Sequence, residues 1–487
     1  MIKKIGHIAI FVMLTAIFVQ CKSNSFEQYF TDDTLRIDYF HTGDAKSETV
    51  QIEKKYKYKG WSGSATYLID TLNHGGYFYK VTDKISGKTI YSKYFNSFFM
   101  EYKSTSQGVK GVSKKYHETA LIPFPKSTIE FSLEIRDEKG GLKEVFKTTI
   151  DPNTIEQNVV DPEVQVFTSL ENGTPSKKAD ILFVGEGYTK EESEKFQRDL
   201  ERFTNILFST EPFKTNKEFF NVRGVFKPSV DSGVDEPRKE IDVNTAISAT
   251  FNTFNSARYL LTEDNRSLRD IAGHAPYDAI AIMVNHDRYG GGGIYNFYCV
   301  FTTNNEQSDF LLLHEFGHSF VGLADEYYSS STGYTDFHNL QNEPFEPNIT
   351  ALKDPTNVKW KHLLSEDIAV PTEWQKMKYD SLEIEIRNGA SKLSLHLDKL
   401  KENAANEAEI ERAKNEHSTK IEAARDWIDQ HMEEGEFKGK VGVFEGAGYQ
   451  GKGLYRPAIN CIMFKYYTDY CPVCQDAIKR TINTYSN

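Results

Sequence analysis

Residues 309–327 of the sequence, DFLLLHEFGHSFVGLADEY, decide the fold that the rest of the chain builds around them. His314 and His318 are four residues apart, so in a helix their side chains project from one face. This spacing lets two imidazole nitrogens bind one metal ion, with Glu315 beside the open coordination position. The apolar residues on both sides of the histidines indicate a helix held in a hydrophobic core. We therefore expect a buried helix that carries a zinc site.

The third metal ligand is expected in the turn that follows. Gly322 should end the helix and redirect the chain. Asp325, three residues later, is the preferred oxygen ligand, and Glu326 is the alternative if the turn runs differently. The competing interpretation is a helix whose histidines hydrogen-bond within the core. Two histidines and a glutamate in an apolar helix would be costly to bury without a metal, which favours the zinc site.

The ligand set predicts a hydrolytic chemistry with one catalytic Zn²⁺ as cofactor. Three protein ligands leave the fourth position for water, whose pKa the metal lowers to about 7. Glu315 would act as general base on the zinc-bound water during attack on a carbonyl, and then pass the proton to the leaving amine. A nearby phenol or guanidinium could assist. The candidates, which the sequence does not rank, are Tyr449, Tyr455, Arg456 and Tyr466.

The composition is that of a large folded protein. At 487 residues the chain is long for one domain, so two domains and an insertion are expected. Hydrophobic residues make up 39% of the sequence, which supplies a core and excludes a disordered chain. The formal net charge is -12, which argues against a nucleic-acid partner because such partners require a basic surface.

The first residues have the features of an export signal. Lys3 and Lys4 precede the apolar residues 8–19, which are too few to make a good membrane span. Cys21 follows, as the lipidated residue does in a bacterial lipoprotein signal; an ordinary secretory signal with an incidental cysteine is the alternative. We expect an extracytoplasmic protein, either secreted or lipid-anchored to a bacterial membrane in the periplasm or at the cell surface. Its only membrane contact would be the anchor.

Short alternating strands dominate residues 36–160. Ile129, Phe131, Leu133 and Ile135 alternate with polar residues, as in a strand buried on one face. Similar runs recur with Gly, Asn or Asp between them, which predicts an antiparallel β-sandwich. No residue of this region has a pattern that indicates catalysis.

A different pattern begins after a polar, turn-rich linker. Residues 180–184 form a continuous apolar run, as expected of a strand buried on both faces. Thr189 and Glu192 make a capping box for a helix, and apolar strands follow at residues 220–226 and 277–284. Strand, helix and strand in this order predict an α/β (or α+β) domain whose sheet has a crossover helix.

Two further segments belong to this second domain. Gly291, Gly292 and Gly293 precede an apolar strand upstream of the metal-binding stretch, where they would let an extended peptide substrate approach the backbone. A merely flexible loop is the alternative. The segment of about 376–436 is rich in Lys, Glu and Ala with apolar residues at helical intervals. This pattern predicts a charged insertion of one or two long, solvated helices.

Four cysteines remain besides Cys21: Cys299, Cys461, Cys471 and Cys474. An even number in an oxidising compartment favours disulfides, but the sequence does not choose among the three pairings. Cys471 and Cys474 could also form a redox motif or half of a zinc site. Because no second Cys-x-x-Cys motif accompanies them, a structural disulfide is the preferred interpretation.

Several motifs together resemble the IgA-peptidase family of zinc metallopeptidases. The longest is HEFGHSFVGLADEY at 314–327, and the shorter ones are GEGYT at 185–189, EPF at 211–213, YGGGG at 289–293, FEGAGY at 444–449, YRP at 455–457 and CPVC at 471–474. The β-rich region resembles the N-terminal domain of related secreted proteins. The metal-binding stretch and Met463 are also similar to the metzincin plan, in which a Met-turn lies under the metal. Gly322 departs from that plan by one residue.

The sequence thus predicts a multidomain protein. Residues 1–20 form a lipoprotein signal peptide, 21–35 a tether, 36–160 the β-sandwich domain and 161–487 a metzincin-like metallopeptidase domain with the helical insertion. The resemblance implies a zinc endopeptidase, without implying that immunoglobulin A is the substrate. The export signal makes extracytoplasmic proteins or peptides the expected substrates. The alternative is a surface lipoprotein that binds host protein or glycan and uses the metal only for stability. A zinc amidase acting on cell-wall peptides is a third possibility.

Overall fold

The computed structural model of the protein describes residues 26–137, 139–158, 160–328, 338–402, 406–465 and 469–486. The predicted signal peptide and Cys21 lie outside these residues. Among the described helices, none is long and apolar enough to span a membrane.

The N-terminal region is rich in β-structure, as predicted. Its elements are α1 (Phe26–Tyr29), β1 (Phe30–Gly43), β2 (Glu48–Lys59), β3 (Tyr77–Asp83), β4 (Thr89–Phe95), α2 (Phe98–Lys103), α3 (Ser106–Val109), β5 (Lys114–Pro125), β6 (Ile129–Arg136), β7 (Leu142–Ile150) and β8 (Glu156–Gln157). One sheet has the strand order β5-β1-β2-β8 and the other β4-β3-β6-β7. The expected antiparallel pattern is corrected at one edge, because β2 and β8 are parallel.

Both N-terminal sheets contribute to one hydrophobic core. In β6 Ile129, Phe131 and Leu133 are buried and Ile135 is partly buried against the same core. The polar Ser132 and Glu134 are buried as well, so the expected burial of one face alone holds only in part. The core also contains Phe26 and Phe30, since β1 begins inside the segment that the sequence assigned to a tether. The described part of that segment therefore belongs to the folded region.

The rest of the chain forms an α/β region. Its elements are β9 (Gln165–Leu170), β10 (Ala179–Glu186), α4 (Ser193–Leu207), β11 (Phe220–Phe226), β12 (Ala249–Thr250), β13 (Leu261–Thr262), α5 (Asn265–Ala272), β14 (Ala279–Val284), β15 (Gly291–Ile294), β16 (Tyr298–Thr302), α6 (Ser308–Phe316), α7 (Lys376–Glu402), α8 (Glu407–Glu433), β17 (Phe444–Ala447), β18 (Gln450–Arg456) and α9 (Pro472–Ser486). The main sheet has the order β15-β16-β14-β10-β11-β9. Its four central strands are parallel, and both edge strands are antiparallel to their neighbours.

This mixed sheet is buried on both faces. Ile181 and Phe183 of β10 belong to one core, which also holds residues of α4, α6 and α9. Leu182 and Val184 belong to a second core on the other side. This alternation explains the continuous apolar run in the sequence. Phe98 of α2 lies in the second core, so the N-terminal and α/β regions share buried side chains.

The predicted charged insertion forms the two long helices α7 and α8, which pack on each other. Gly389 of α7 lies against His417 and Ile421 of α8. Near the base of the pair, Tyr379 and Ile428 join the core that contains α6. The insertion is therefore anchored to the side of the sheet on which α6 lies, although most of its residues are solvated.

Direct hydrogen bonds connect the N-terminal region to the segments around α6. His74 Nδ1 lies 2.9 Å from the carbonyl oxygen of Val321, and the backbone N–H of Asn96 donates to the carbonyl of Tyr295 at 2.9 Å. These contacts place the N-terminal region against the helix that carries the candidate metal ligands.

Candidate active site

Helix α6 carries the predicted metal ligands. It continues into a π-helical turn, Gly317–Val321, and ends at Gly322 with φ 78°. Leu311 and Leu312 are buried in the core beside the sheet, which holds the helix in place. Gly322 adopts the left-handed conformation that ends helices at low steric cost. The helix thus ends at the residue that the sequence indicated.

Three side-chain atoms converge on one point next to this helix. The Nε2 atoms of His314 and His318 are 3.2 Å apart. Asp325 Oδ1 lies 3.0 Å from the first nitrogen and 3.3 Å from the second. Ligands bound to one zinc ion at about 2.0–2.1 Å and tetrahedral angles are about 3.3 Å apart. The three atoms therefore have the spacing of one face of a zinc site.

Backbone carbonyls orient both imidazoles. His314 Nδ1 is 3.1 Å from the carbonyl oxygen of Ile462, and His318 Nδ1 is 2.6 Å from that of Leu323. With each Nδ1–H donating to a carbonyl, both Nε2 lone pairs face Asp325. Three acceptors at this separation repel one another unless a cation lies between them, so the residues fit a divalent metal.

Asp325 and Glu326 have different surroundings. Asp325 Oδ2 accepts a hydrogen bond from the Tyr449 hydroxyl, while Oδ1 faces the histidines. Burial would raise the pKa of Asp325, but the imidazoles of His318 and His314 beside it hold that pKa well below its usual range. Glu326 instead accepts a 3.0 Å hydrogen bond from Asn348 Nδ2. The geometry favours Asp325 over Glu326 as the third ligand.

Glu315 lies beside the two histidines. Its carboxylate oxygen and the nitrogens of His314 and His318 are all within 4.8 Å of one another. Burial raises the pKa of Glu315, and the neighbouring imidazoles of His314 and His318 oppose that rise. A carboxylate with a raised pKa is a stronger proton acceptor, which suits a general base.

The site lies in a cavity of about 1110 Å³ whose walls come from three parts of the chain. The metal-binding stretch and β15 form one wall. Glu101 of α2 contributes from the N-terminal region, and Arg387 of α7 and Arg425 of α8 contribute from the insertion. The sequence pattern predicted a solvated insertion. In the structure this insertion helps to enclose the site.

The glycine run of β15 packs directly against α6. A Cβ on Gly293 would lie 2.4 Å from the carbonyl oxygen of Glu315, and one on Gly291 would lie 3.0 Å from Glu315 Oε1. Glycine permits this close approach, which gives the run a packing role. Gly291, Gly292 and Gly293 all line the cavity. Tyr259 already pairs with Gly291 on the side of β15 away from β16.

The loop before α9 packs against α6. Met463 is buried, and a Cβ on Gly317 would lie 3.0 Å from its Sδ. The carbonyl of Met463 accepts a 2.8 Å hydrogen bond from the backbone N–H of Glu326. The predicted methionine turn thus lies next to the ligand-bearing segments, and its role stays a prediction.

The four candidates for assisting the reaction occupy different positions. Tyr449 lines the cavity and bonds Asp325. Arg456 is fully buried and Tyr455 lies on β18, and neither lines the cavity. Tyr466 lies outside the described residues. Of the described candidates, Tyr449 is the one at the site.

Two cavity residues were not among the predicted site residues. Arg258 and Tyr327 interact electrostatically with Glu315 and Asp325. Tyr327 is two residues from Asp325, a proximity that could have singled it out. Arg258 lies between β12 and β13 in no recognisable motif, so only the fold brings it to the site.

The four described cysteines are all buried and unpaired. Cys461, Cys471 and Cys474 lie together with Glu326, whereas Cys299 is on β16. The sulfurs of Cys461 and Cys474 are 3.7 Å apart, well beyond the length of about 2.05 Å for a disulfide bond. The preferred disulfide interpretation therefore finds no support in this geometry.

Two protein-family models match the chain. The model described as IgA Peptidase M64 matches residues 168–482, and the model described as Peptidase M64 N-terminus matches residues 25–147. These matches confirm the resemblance inferred from the motifs, and together they cover most of the chain. A comparison with curated proteins found no significant match.

Proposed function

Because the chain belongs to the IgA peptidase M64 family, we propose that it is a zinc-dependent endopeptidase acting on proteins outside the cytoplasm. The observation that carries this proposal is the convergence of His314 Nε2, His318 Nε2 and Asp325 Oδ1 within 3.3 Å of one another. Family membership supplies the peptidase class. The ligand geometry supports the metal and the individual residue roles.

His314, His318 and Asp325 would hold the zinc ion. When bound, zinc supplies Lewis acidity and lowers the pKa of a water ligand to about 7. The histidines present their Nε2 atoms because each Nδ1–H is engaged by a carbonyl. Tyr449 is a positioning residue, since its hydroxyl orients Asp325 rather than touching the reacting atoms.

Glu315 is the proposed general base. It accepts the proton of the attacking water and returns it to the leaving amine. The partly buried position of its carboxylate beside both histidines supports this role, because burial raises its pKa and therefore its basicity. Arg258, on the same cavity, offers a guanidinium that can stabilise the developing oxyanion.

A polypeptide substrate suits the size and walls of the cavity. Its volume of about 1110 Å³ exceeds the roughly 300–1,000 Å³ of small-molecule pockets. We propose that an extended peptide lies beside Gly292 and Gly293 of β15, because Tyr259 covers the strand at Gly291.

The finer fold and the location belong to the same proposal. The mixed sheet, α6 and the loop at Met463 support a metzincin-like domain, and two sheets around one core support an N-terminal β-sandwich. The charged and apolar leader supports export with lipid attachment at Cys21. Labelled fatty acid should be incorporated into the wild type and not into Cys21→Ser; an unlabelled wild type would refute the anchor.

Cleavage-site profiling of a proteome tests the proposed activity. Wild-type protein should create new N-termini that disappear on chelation and return with added zinc. Glu315→Gln should create none while retaining the wild-type zinc content, because Glu315 is not a ligand. Bound zinc without any cleavage that depends on Glu315 would refute the proposal and favour a surface protein that only binds its target.

A further inference from the structure

A second group of metal-ligand residues lies close to the first and takes no part in the proposed reaction. It consists of Glu326, Cys461, Cys471 and Cys474, whose ligand atoms are all within 4.8 Å of one another. Glu326 directly follows Asp325. Cys461 lies in the loop that packs against α6, and the other two cysteines flank the start of α9. All four residues are at most 5% exposed.

The spacing of these atoms matches tetrahedral zinc better than a disulfide. Two sulfurs bound to one zinc at about 2.3 Å are about 3.8 Å apart, and a bound sulfur and carboxylate oxygen are about 3.5 Å apart. Here the sulfurs of Cys461 and Cys474 are separated by 3.7 Å. The Cys474 sulfur lies 3.3 Å from Glu326 Oε1. A disulfide would require about 2.05 Å.

Buried polar atoms in this group lack partners. Glu326 Oε2 has no hydrogen-bond partner among the described residues, although the side chain is fully buried. Arg456 is also fully buried, two of its guanidinium nitrogens lack partners among the described residues, and it interacts electrostatically with Glu326. A buried carboxylate without compensation is costly. A divalent cation together with Arg456 would offset most of the charge of three thiolates and a carboxylate.

We propose that Glu326, Cys461, Cys471 and Cys474 bind a second zinc ion with a structural role. Four protein ligands leave no open position, which is the arrangement of a structural rather than a catalytic site. Thiolate ligands select zinc over magnesium or calcium. Binding releases the thiol protons to solvent and involves no change in oxidation state.

The second ion would hold in place the segments that carry and orient the ligands of the first site. Glu326 is adjacent to Asp325, and its backbone N–H bonds the carbonyl of Met463. Ile462, next to Cys461, supplies the carbonyl that orients His314. One ion would therefore tie together the turn, the loop and α9. The proposal does not depend on proteolysis, since the site would stabilise the fold even if the chain cleaves nothing.

Zinc stoichiometry of the purified full chain separates the two sites. The wild type should contain two zinc ions per chain. The double variant His314→Ala/His318→Ala should contain one zinc ion, and so should Cys474→Ser. Cys299→Ser is the matched control, a buried cysteine outside the group, and should retain two. A wild type with one zinc that is lost in His314→Ala/His318→Ala would overturn the second site and leave the proposed function intact.

X-ray absorption at the zinc edge identifies the ligand atoms around zinc without any cysteine substitution, so it tests the proposal even if the cysteine variants fail to fold. In His314→Ala/His318→Ala the remaining zinc should have three sulfur ligands and one oxygen ligand. Thiol titration of the denatured, chelated wild type should find Cys299, Cys461, Cys471 and Cys474 all reduced. Zinc with only nitrogen and oxygen ligands, or two thiols lost to a disulfide, would refute the proposal.

Discussion

At the scale of single residues, the turn after α6 directs two adjacent carboxylates to different groups. Asp325 faces the imidazoles of α6, and Glu326 faces the cysteine sulfur of Cys474. Neighbouring residues of an extended segment point to opposite sides. One short turn can therefore supply a ligand to each of two buried sites.

The hydrogen bond from Tyr449 to Asp325 allows the effect of removing one hydroxyl group to be predicted. Tyr449→Phe removes that donor and leaves the aromatic ring, so zinc affinity or kcat/KM should fall about 10–100-fold, as is typical for residues that orient a metal ligand. Competition with a chelator measures the affinity. Tyr455→Phe, away from the cavity, is the control and should match the wild type. An unchanged affinity in Tyr449→Phe would contradict the positioning role.

At the scale of elements, β15 and α6 meet at a contact that has room only for glycine. Gly293→Ala would place a Cβ 2.4 Å from the carbonyl of Glu315 and 2.8 Å from His318 Cβ. We expect a loss of about 1–3 kcal/mol in the free energy of unfolding together with loss of peptidase activity. Denaturant unfolding measures the first quantity.

Gly451→Ala is the matched control for this substitution. A Cβ at Gly451 would have its nearest neighbour at 3.7 Å, an ordinary van der Waals contact. Its stability should equal that of the wild type. If Gly293→Ala is as stable and active as Gly451→Ala, the close packing of β15 on α6 is not required.

The helices of the insertion should influence which peptides are cleaved. Arg387 and Arg425 line the cavity and form no ion pair with a described residue. Replacing both with alanine should raise KM about fivefold for peptides with acidic side chains and leave kcat and zinc content unchanged, since such exposed charges contribute about 1 kcal/mol. Arg412→Ala, which removes a charge from α8 outside the cavity, should have no effect. Equal KM values for both variants would refute this role.

Local patterns in the sequence predicted the ligand helix and its end, because helical spacing and a terminal glycine act within a few residues of one another. The alternation in β6 and the charged helices were predicted for the same reason. The position of Arg258 in the cavity and the proximity of Glu326 to Cys461 were not predicted, because they depend on contacts between distant segments. Cys471 and Cys474 suggested half of a zinc site, and only the fold supplies the other half.

At the scale of the whole molecule, the N-terminal region is part of the peptidase architecture. Phe98 of α2 is buried in a core of the main sheet, and Glu101 lines the cavity. The tether that the sequence predicted overlaps β1, because Phe26 and Phe30 are buried in the N-terminal core. A short apolar segment next to the predicted signal peptide gives no local sign of which core will bury it.

The contact between His74 and Val321 makes this interface sensitive to pH. Burial lowers the pKa of His74 from 6.5 to about 4, so protonation favours the unfolded state. The stabilising contribution is complete above pH 6.5 and is lost as the pH falls toward 4. Between pH 7.5 and pH 5 the wild type should lose about 2 kcal/mol more unfolding free energy than His74→Gln, which does not titrate. Equal losses in both proteins would contradict the buried, neutral His74.

We propose above that His314, His318 and Asp325 hold a zinc ion beside Glu315. A crystal structure of the metal-loaded protein with anomalous data at the zinc edge tests it most directly. We expect a peak about 2.0–2.2 Å from His314 Nε2, His318 Nε2 and Asp325 Oδ1, with Glu315 outside the ligand sphere. No peak at this position, or a peak whose third protein ligand is Glu326, would contradict it.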